Sequence, residues 1–538
     1  MTNNGGVALI SVFDKTGIEQ FARDLSDMGW KIYASGGTAS TIKKAGVKVT
    51  DITELSKGGE ILGHRVVTLS REIYAGILAD DSKKHSKELE DLGIPRIDLV
   101  CVDMYPLSTE VRDPKSTEES VIEKTDVGGP TLLHAAAKGR RIVLSRASQR
   151  PKVIEWLKAG QPDKDKYLKK LAAVAEYDVA EYMIDSANYL GDGEVTGLIS
   201  ERIAATTYGE NPWQQGGGLF VSRHIEDPLG IGKFDLVQGK PLSYNNYTDV
   251  DRMLQSAAHV AAGFERNFKK VPPLALGAKH GNLCGAAVDD NPVKAIKKML
   301  DGDQRAIFGG SIIVNFPITA EIAETIMTYK MEKGKRILDI VMAPEIDKEA
   351  LEIVSRKNGK LRVFLNPVLR DLGENSIDKT QRVRHVRGGR LKQDNYTFVY
   401  DFNHPEIQWS GEKATEQQKR DMIMAWGIGS TSNSNTISIV KDGMLISNGV
   451  GQQDRVTSAE LAIMRANNAG HELKGASAYS DSFFPFPDGA ELLAKAGISG
   501  IIASRGSIRD NEVIEALKKY KVSFVTMPDS LSRGFFAH

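Results

Sequence analysis

The residues in this chain best suited to chemistry are Lys279 and His280, in the run Lys279-His280-Gly281-Asn282-Leu283-Cys284-Gly285-Ala286-Ala287. An ammonium holds an anion or a developing oxyanion, and an imidazole, with an ordinary pKa of about 6.5, moves a proton near neutrality. The pair follows an apolar run, residues 274–278, that reads as a buried strand, so both groups emerge where the strand gives way to a Gly-containing turn. A solvated strand end has the same composition. What favours chemistry is company: Tyr208-Gly209-Glu210-Asn211-Pro212, Ser243-Tyr244-Asn245-Asn246 and the run Asp481-Ser482-Phe483-Phe484-Pro485-Phe486-Pro487-Asp488-Gly489 are likewise polar, turn-rich and aromatic.

Positioning such groups takes several cores, and 538 residues with 41% hydrophobic and 26% charged composition are enough for three or four globular domains. Lys plus Arg equals Asp plus Glu at 70 each, so no net field argues for nucleic acid or an anionic membrane, and any anion must be bound locally. Two cysteines, Cys101 and Cys284, make no CxxC pair, which excludes a disulfide framework and a cysteine zinc cluster and fits a reducing cytoplasm. The first residues are polar without a basic stretch, and no run of about 18 apolar residues occurs, so no targeting or membrane segment is expected.

In the first third, residues 7–13 read as a buried strand, followed by Asp14-Lys15-Thr16-Gly17 and then Ile18, Phe21, Ala22, Leu25 and Met28 at helical spacing. Residues 30–34 form a second strand that runs through Ser35-Gly36-Gly37-Thr38 into a helix over 39–44. Glycines there permit close backbone approach, and free N–H groups at a helix start favour phosphate, although a Gly-Gly pair is often only a turn. Further strands at 47–52, 99–102 and 142–144, separated by helical stretches, predict a mostly parallel α/β sheet with ligands at its carboxyl ends.

These motifs, with Tyr105-Pro106, Asp126-Val127-Gly128-Gly129-Pro130-Thr131 and Ala135-Ala136-Ala137-Lys138, resemble the cyclohydrolase half of the bifunctional purine-biosynthesis (PurH) family in order and spacing. The resemblance implies a methylglyoxal-synthase-like, doubly wound domain that closes the formylated ribotide (FAICAR) to inosine monophosphate (IMP) with loss of water. It puts the ribotide phosphate on Ser11, Lys15, Ser35, Gly37, Thr38, Arg65 and Thr68, with Tyr105, Asp126 and Lys138 around the reacting atoms. The family's Gly-Arg-Val-Lys-Thr-Leu-His-Pro is here Gly63-His64-Arg65-Val66-Val67-Thr68-Leu69-Ser70-Arg71, so a lysine is replaced by Val67; Phe13 stands for a serine and His134 for an arginine. Losing one donor to a developing oxyanion costs about 3–4 kcal/mol, roughly 100- to 1000-fold in rate. Two alternatives follow: a slowed pocket, or a rewired one in which Arg71 or His64 supplies the charge.

A Gly-rich polar stretch, residues 189–199, marks a boundary near 198. Beyond it, Tyr208-Gly209-Glu210-Asn211-Pro212, Ser243-Tyr244-Asn245-Asn246, Lys279-His280-Gly281-Asn282, Phe308-Gly309-Gly310, Arg387-Gly388-Gly389, Gly449-Val450-Gly451-Gln452 and Ser480 to Asp488 occur in the order of the family's transformylase half. This resemblance implies two tandem cytidine-deaminase-like α/β units, expected at 199–380 and 381–538 after the domain 1–198, in a homodimer with sites at the subunit interface. Zinc deaminases need H-x-E with P-C-x-x-C; His404-Pro405-Glu406 supplies the first, but two isolated cysteines cannot supply the second, so His404 reads as a loop histidine and no catalytic metal is expected.

The implied reaction moves a formyl group from 10-formyltetrahydrofolate to the 5-amino group of aminoimidazole carboxamide ribotide (AICAR). That weak nucleophile calls for alignment, oxyanion stabilisation and a proton relay. Lys279 and His280 suit the last two, and these are also the family's assignments. The resemblance further implies Tyr208, Asn246, Gly309, Asp339, Asn435 from the partner subunit, Phe483 and Arg533 on the ribotide, and Asp488 near the folate. Thr207 stands where the family has arginine, Leu283 where it has proline, and residues 427–435 lack its lysine. A transformylase with a merely nucleotide-binding first domain, and a non-catalytic nucleotide-binding regulator, are the competing readings.

Overall fold

The computed structural model describes residues 5–56, 61–63, 65–222 and 226–536, and the chain divides into two compact units, Met1–Ile199 and Ser200–His538. Both are α/β, as expected. Among the described residues no helix is long and apolar enough to cross a membrane.

In the first unit, Val7–Val12 is buried along nearly its whole length, the pattern of a strand covered on both faces. It lies at the centre of a parallel sheet ordered Thr50–Asp51, Lys31–Ala34, Val7–Val12, Leu99–Asp103, Ile142–Leu144. Helix Ile18–Asp27 covers it with Ile18, Phe21, Ala22 and Leu25, the apolar spacing read from the sequence. The strand expected over 47–52 shortens to Thr50–Asp51, because its neighbour Lys31–Ala34 is only four residues long and offers partners only at Tyr33 and Ala34. The chain leaves the central strand for opposite sides in successive crossovers, so a crevice opens at the carboxyl ends of Val7–Val12 and Leu99–Asp103.

The second unit carries a 12-stranded sheet made of two alike halves. Each has a long helix, a β-hairpin and three further strands separated by helices. In the first half the helix Tyr244–Phe268 precedes the hairpin Leu274–Lys279 and Asn282–Val288, then Gly310–Val314, Leu338–Ala343 and Arg362–Leu365. In the second, Glu416–Gly429 precedes Ile437–Lys441 and Met444–Gly449, then Ser477–Ser480, Gly500–Arg505 and Ser523–Pro528. The halves join where Asn282–Val288 runs antiparallel to Met444–Gly449. Alternate strand residues face two layers: Leu276, Ala278, Ile340 and Met342 pack with the long helices, whereas Ala275, Ile312, Val341 and Val363 pack with helices Pro292–Gly302 and Ala320–Thr328.

The long helices pack against each other, and a Cβ added to Gly427 would lie 2.8 Å from the Cα and N of Val260. Backbone cannot yield as a side-chain end can. Gly427→Ala is therefore expected to lower stability by roughly 1–3 kcal/mol, read as an earlier urea midpoint. An unchanged midpoint would show that the helices part without cost.

Candidate functional sites

At the crevice of the first unit, helix Gly36–Lys44 begins on the two glycines themselves, earlier than the residues 39–44 read from the sequence, because extended Ser35 takes the N-cap place. The first-turn N–H groups at Gly36, Gly37 and Thr38 lie at this helix start, where an anion is favoured. A Cβ on Gly36 or Gly37 would meet no atom within 4 Å, so the protein's own packing does not demand glycine there, and the space before the turn is open. Ser11 and Ser35 share a hydrogen bond of 2.8 Å, and the Thr38 hydroxyl exchanges bonds of 3.2 Å with the N–H and carbonyl of Val12. Lys15 folds back, its Nζ donating to the carbonyls of Val12 and, at 3.0 Å, Phe13. The Asp103 carboxylate accepts the Phe13 N–H and pairs with buried Arg150 at 3.3 Å, which ties the two strand ends together.

Asp126 sits beside these strand ends. Its Oδ1 accepts the Gly129 N–H at 2.9 Å at the start of helix Gly128–Lys138, and Thr68 Oγ1 lies 2.9 Å from where a Gly128 Cβ would be. Burial pushes the Asp126 carboxyl above the usual carboxylate range, opposed by the N–H groups of Gly129, Tyr105 and Gly128. Tyr105 meets Phe13 edge-on, with centroids 5.5 Å apart, and burial, then Asp126 and Glu123, raise its phenol. Lys138 is exposed at the far end of an 11-residue helix, about 15 Å along the axis from the Asp126 end. Arg65 is exposed and paired with Glu123 at 2.6 Å.

The substituted positions have distinct fates. Val67 turns inward and packs on the core. Arg71 faces solvent beside Glu72 at 3.5 Å, and His134 pairs with Glu176 at 2.8 Å. His64 lies outside the described residues. The cation beside the replaced serine is one that sequence reasoning missed: Lys124 Nζ stands 5.7 Å from the centroid of Phe13. No motif spacing marks it; it closes helix Glu118–Lys124 two residues before Asp126.

In the second unit, Lys279 and His280 occupy the tip of a hairpin in which Lys279 pairs with Asn282. His280 and Gly281 both take positive φ, 55° and 68°, the left-handed pair of a two-residue type I′ turn. Lys279 Nζ donates to the Phe308 carbonyl at 2.5 Å, beside Gly309, itself at φ 70°. Asp339 sits at the register shift between Leu338, the partner of Gly310, and Ile340, the partner of Ser311, and burial raises its carboxyl against the opposing charges of Arg362, Arg356 and Lys279. Asn246 is buried at the third position of helix Tyr244–Phe268, where its Oδ1 accepts the Ser243 N–H at 3.1 Å while Ser243 Oγ accepts the Asn246 N–H at 3.2 Å. Tyr208 reaches the same helix start, its carbonyl accepting the Tyr244 N–H at 3.3 Å. One turn further on, Asp249 Oδ1 accepts the Gly281 N–H at 2.6 Å. Asp249 was not expected from the sequence; its spacing of three from Asn246, which puts both on one helix face, is the available signal.

A second cluster lies in the other half of the sheet. Asn435 is held to Gln452 through its N–H and, at 2.9 Å, its side-chain amide, and Ser434 Oγ donates to Asp481 at 2.7 Å. Arg533 pairs with Asp529 at 2.6 Å and lies 5.8 Å over the ring of Phe483. Phe484 is core, whereas Asp488 is exposed at the start of helix Pro487–Lys495 with its Oδ1 on the Gly489 N–H at 2.8 Å. His404 sits in a turn, its Nδ1 accepting the Glu406 N–H at 3.2 Å. Among the described residues no cluster of three or more His, Cys, Asp or Glu stands in metal-binding geometry.

Comparison with known proteins covers nearly the whole chain. The family model described as AICARFT/IMPCHase bienzyme matches residues 136–465, and that described as MGS-like domain matches residues 17–131. Relatives named bifunctional purine biosynthesis protein PurH include those of Caldicellulosiruptor saccharolyticus, 34% identical over 532 residues (96% of this chain, 98% of that one), and Aquifex aeolicus, 34% identical over 529 residues with the same coverage. A solved structure described as "Crystal structure of ForH" is 33% identical, covers 35% of this chain and 99% of its own, and has a TM-score of 0.32. The chain belongs to the AICARFT/IMPCHase bienzyme family, with an MGS-like domain at its N-terminal end.

Proposed function

We propose that this enzyme of purine biosynthesis, which carries transformylase and cyclohydrolase activities, performs formyl transfer on the Lys279–His280 turn and ring closure at the Asp126 crevice. The observation that carries the first assignment is the turn itself. A left-handed hairpin tip held by Asp249 presents an imidazole next to an ammonium already within hydrogen-bond reach of the Phe308–Gly309 loop.

With 10-formyltetrahydrofolate as co-substrate, the ribotide 5-amino nitrogen attacks the formyl carbon, and negative charge develops on the formyl oxygen. Lys279 stabilises that charge; His280 takes the proton from the attacking amine and returns one to the leaving folate nitrogen as the carbon–nitrogen bond breaks. Tyr208, Asn246, Gly309 and Asp339 hold the ribotide from one half of the sheet. Asn435, Phe483 and Arg533 hold it from the other, and Asp488 lies toward the folate. Because these groups fall into two clusters in separate halves, we assign the complete site to a homodimer in which Asn435 comes from the partner subunit. Domain limits at 198 and 380, cytidine-deaminase-like units for the two halves and a cytoplasmic setting complete the reading.

Ring closure joins the carboxamide nitrogen to the formyl carbon and expels water. Being intramolecular, it draws on alignment that is worth about 7–11 kcal/mol, so the phosphate contacts at Ser11, Lys15, Ser35, Gly37, Thr38, Arg65 and Thr68 do much of the work. Asp126 and Tyr105 handle protons, and Lys138 would act only from a ligand pose or subunit that reaches its end of the helix. Val67 packs inward and Arg71 faces solvent, so neither restores the lost charge; what supports a rewired pocket is Lys124 over Phe13, which supplies the positive charge in place of Arg71.

His280→Ala is expected to lower turnover on the order of 100-fold or more in a folded enzyme, followed as tetrahydrofolate release. Lys279→Arg, which keeps charge but changes donor geometry, should also be strongly impaired if a compact point charge is needed. Unchanged turnover in folded His280→Ala rejects the role. For the first unit, full-length Lys124→Ala supplied with purified FAICAR should close the ring about 100-fold more slowly, the scale of one lost oxyanion donor. Closure at the parent rate removes Lys124 from the reaction.

A further inference from the structure

The two halves of the long sheet share a device that only one of them uses for chemistry. Ser243 and Thr415 cap the helices Tyr244–Phe268 and Glu416–Gly429, each in a capping box with the third helical residue, Asn246 or Gln418. Three residues on, at the sixth helical position of each, stands an aspartate: Asp249 and Asp421. Each reaches the tip of the hairpin that follows. Asp421 accepts the N–H groups of Asp442 at 2.9 Å and Gly443 at 2.7 Å, and Asp249 accepts that of Gly281 at 2.6 Å. Both tips are two-residue left-handed turns, Asp442 and Gly443 at φ 51° and 72°, His280 and Gly281 at 55° and 68°.

The second-half tip carries Asp-Gly, a pair that takes a type I′ turn readily. The first-half tip has histidine at that place, and His-Gly is not among the Asn-Gly, Asp-Gly and Gly-Gly pairs that type I′ turns prefer. The turn that carries the imidazole thus has weaker local preference for its conformation and a greater need of an external hold. Asp249 is the residue that provides one. Burial lifts its carboxyl above the ordinary range, the Gly281 N–H and then the His280 imidazole pull it back, and Asp339 pushes it up.

We propose that Asp249 is a positioning residue of formyl transfer: by accepting the Gly281 N–H it fixes the left-handed turn that aims His280, and it thereby sets turnover rather than ribotide affinity. The inference rests on the reading that His280 carries the proton. Asp421, doing the same for a tip without Lys-His, is the matched structural control.

The test is steady-state kinetics and thermal unfolding on full-length Asp249→Ala, Asp249→Asn, Asp421→Ala and His280→Ala, assayed below the lowest unfolding midpoint of the set. Asp249→Ala should lose kcat on the order of 100-fold, the scale of an ångström misplacement, with ribotide KM within about threefold of the parent. Asp249→Asn keeps an oxygen acceptor for the Gly281 N–H and should stay within about fivefold of the parent kcat. Asp421→Ala should lower the unfolding midpoint but leave kcat within about twofold, since only its own turn loosens. The inference is overturned if Asp249→Ala turns over normally while His280→Ala is inactive, if Asp421→Ala loses as much kcat as Asp249→Ala, or if the Asn variant is as slow as Ala or slow where Ala does not fold. Full turnover in His280→Ala instead fails the proton-transfer reading beneath it.

Discussion

The second unit depends on the close approach of helices Tyr244–Phe268 and Glu416–Gly429. At their crossing a Cβ on Gly263 would collide with Ile423 and Trp426 of the other helix, and one on Gly427 with the backbone of Val260. Dense packing there leaves little freedom for either axis. The positions of the capped helix starts follow, and from those starts hang Asn246 and Asp249 on one side and Asp421 on the other. A backbone contact in the core is thereby transmitted through two aspartates to two hairpin tips.

Electrostatics around the candidate sites of both units is built from specific partners, in a chain whose formal net charge is zero. Asp126, Asp249 and Asp339 are each raised by burial, and each is opposed by a specific set of donors: backbone N–H groups for the first, Gly281 and His280 for the second, Arg362, Arg356 and Lys279 for the third. Buried carboxylates with defined partners orient the groups around them without spreading a field over the surface. On the proposed reading, the short-range donors that would take a phosphate are the N–H groups at Gly36 and Gly37, at the start of their helix.

Much of this was legible in the sequence, for reasons that can be named. Apolar runs ending in Gly-containing polar turns located Val7–Val12 and Leu274–Lys279, because a strand buried on both faces leaves a continuous signature. The Ser35-Gly36-Gly37-Thr38 turn was found, but not that the helix starts on the glycines, since glycine's low helical propensity argues against it until the cap is seen. The inward turn of Val67 and the approach of Lys124 to Phe13 depend on tertiary packing that no spacing encodes. The internal repeat left only a faint trace, a capping residue, an amide three positions later and an aspartate three beyond that, and its meaning required both hairpins in space.

The central claim is that this chain moves a formyl group. It is tested most directly by mixing the full-length protein, in molar excess, with limiting AICAR and 10-formyltetrahydrofolate and following a single turnover by rapid quench. The account predicts that tetrahydrofolate and formylated ribotide appear together in equal amount, only when both substrates are present. Ribotide that binds while tetrahydrofolate appears no faster than in buffer would contradict it and leave the fold as a nucleotide-binding scaffold.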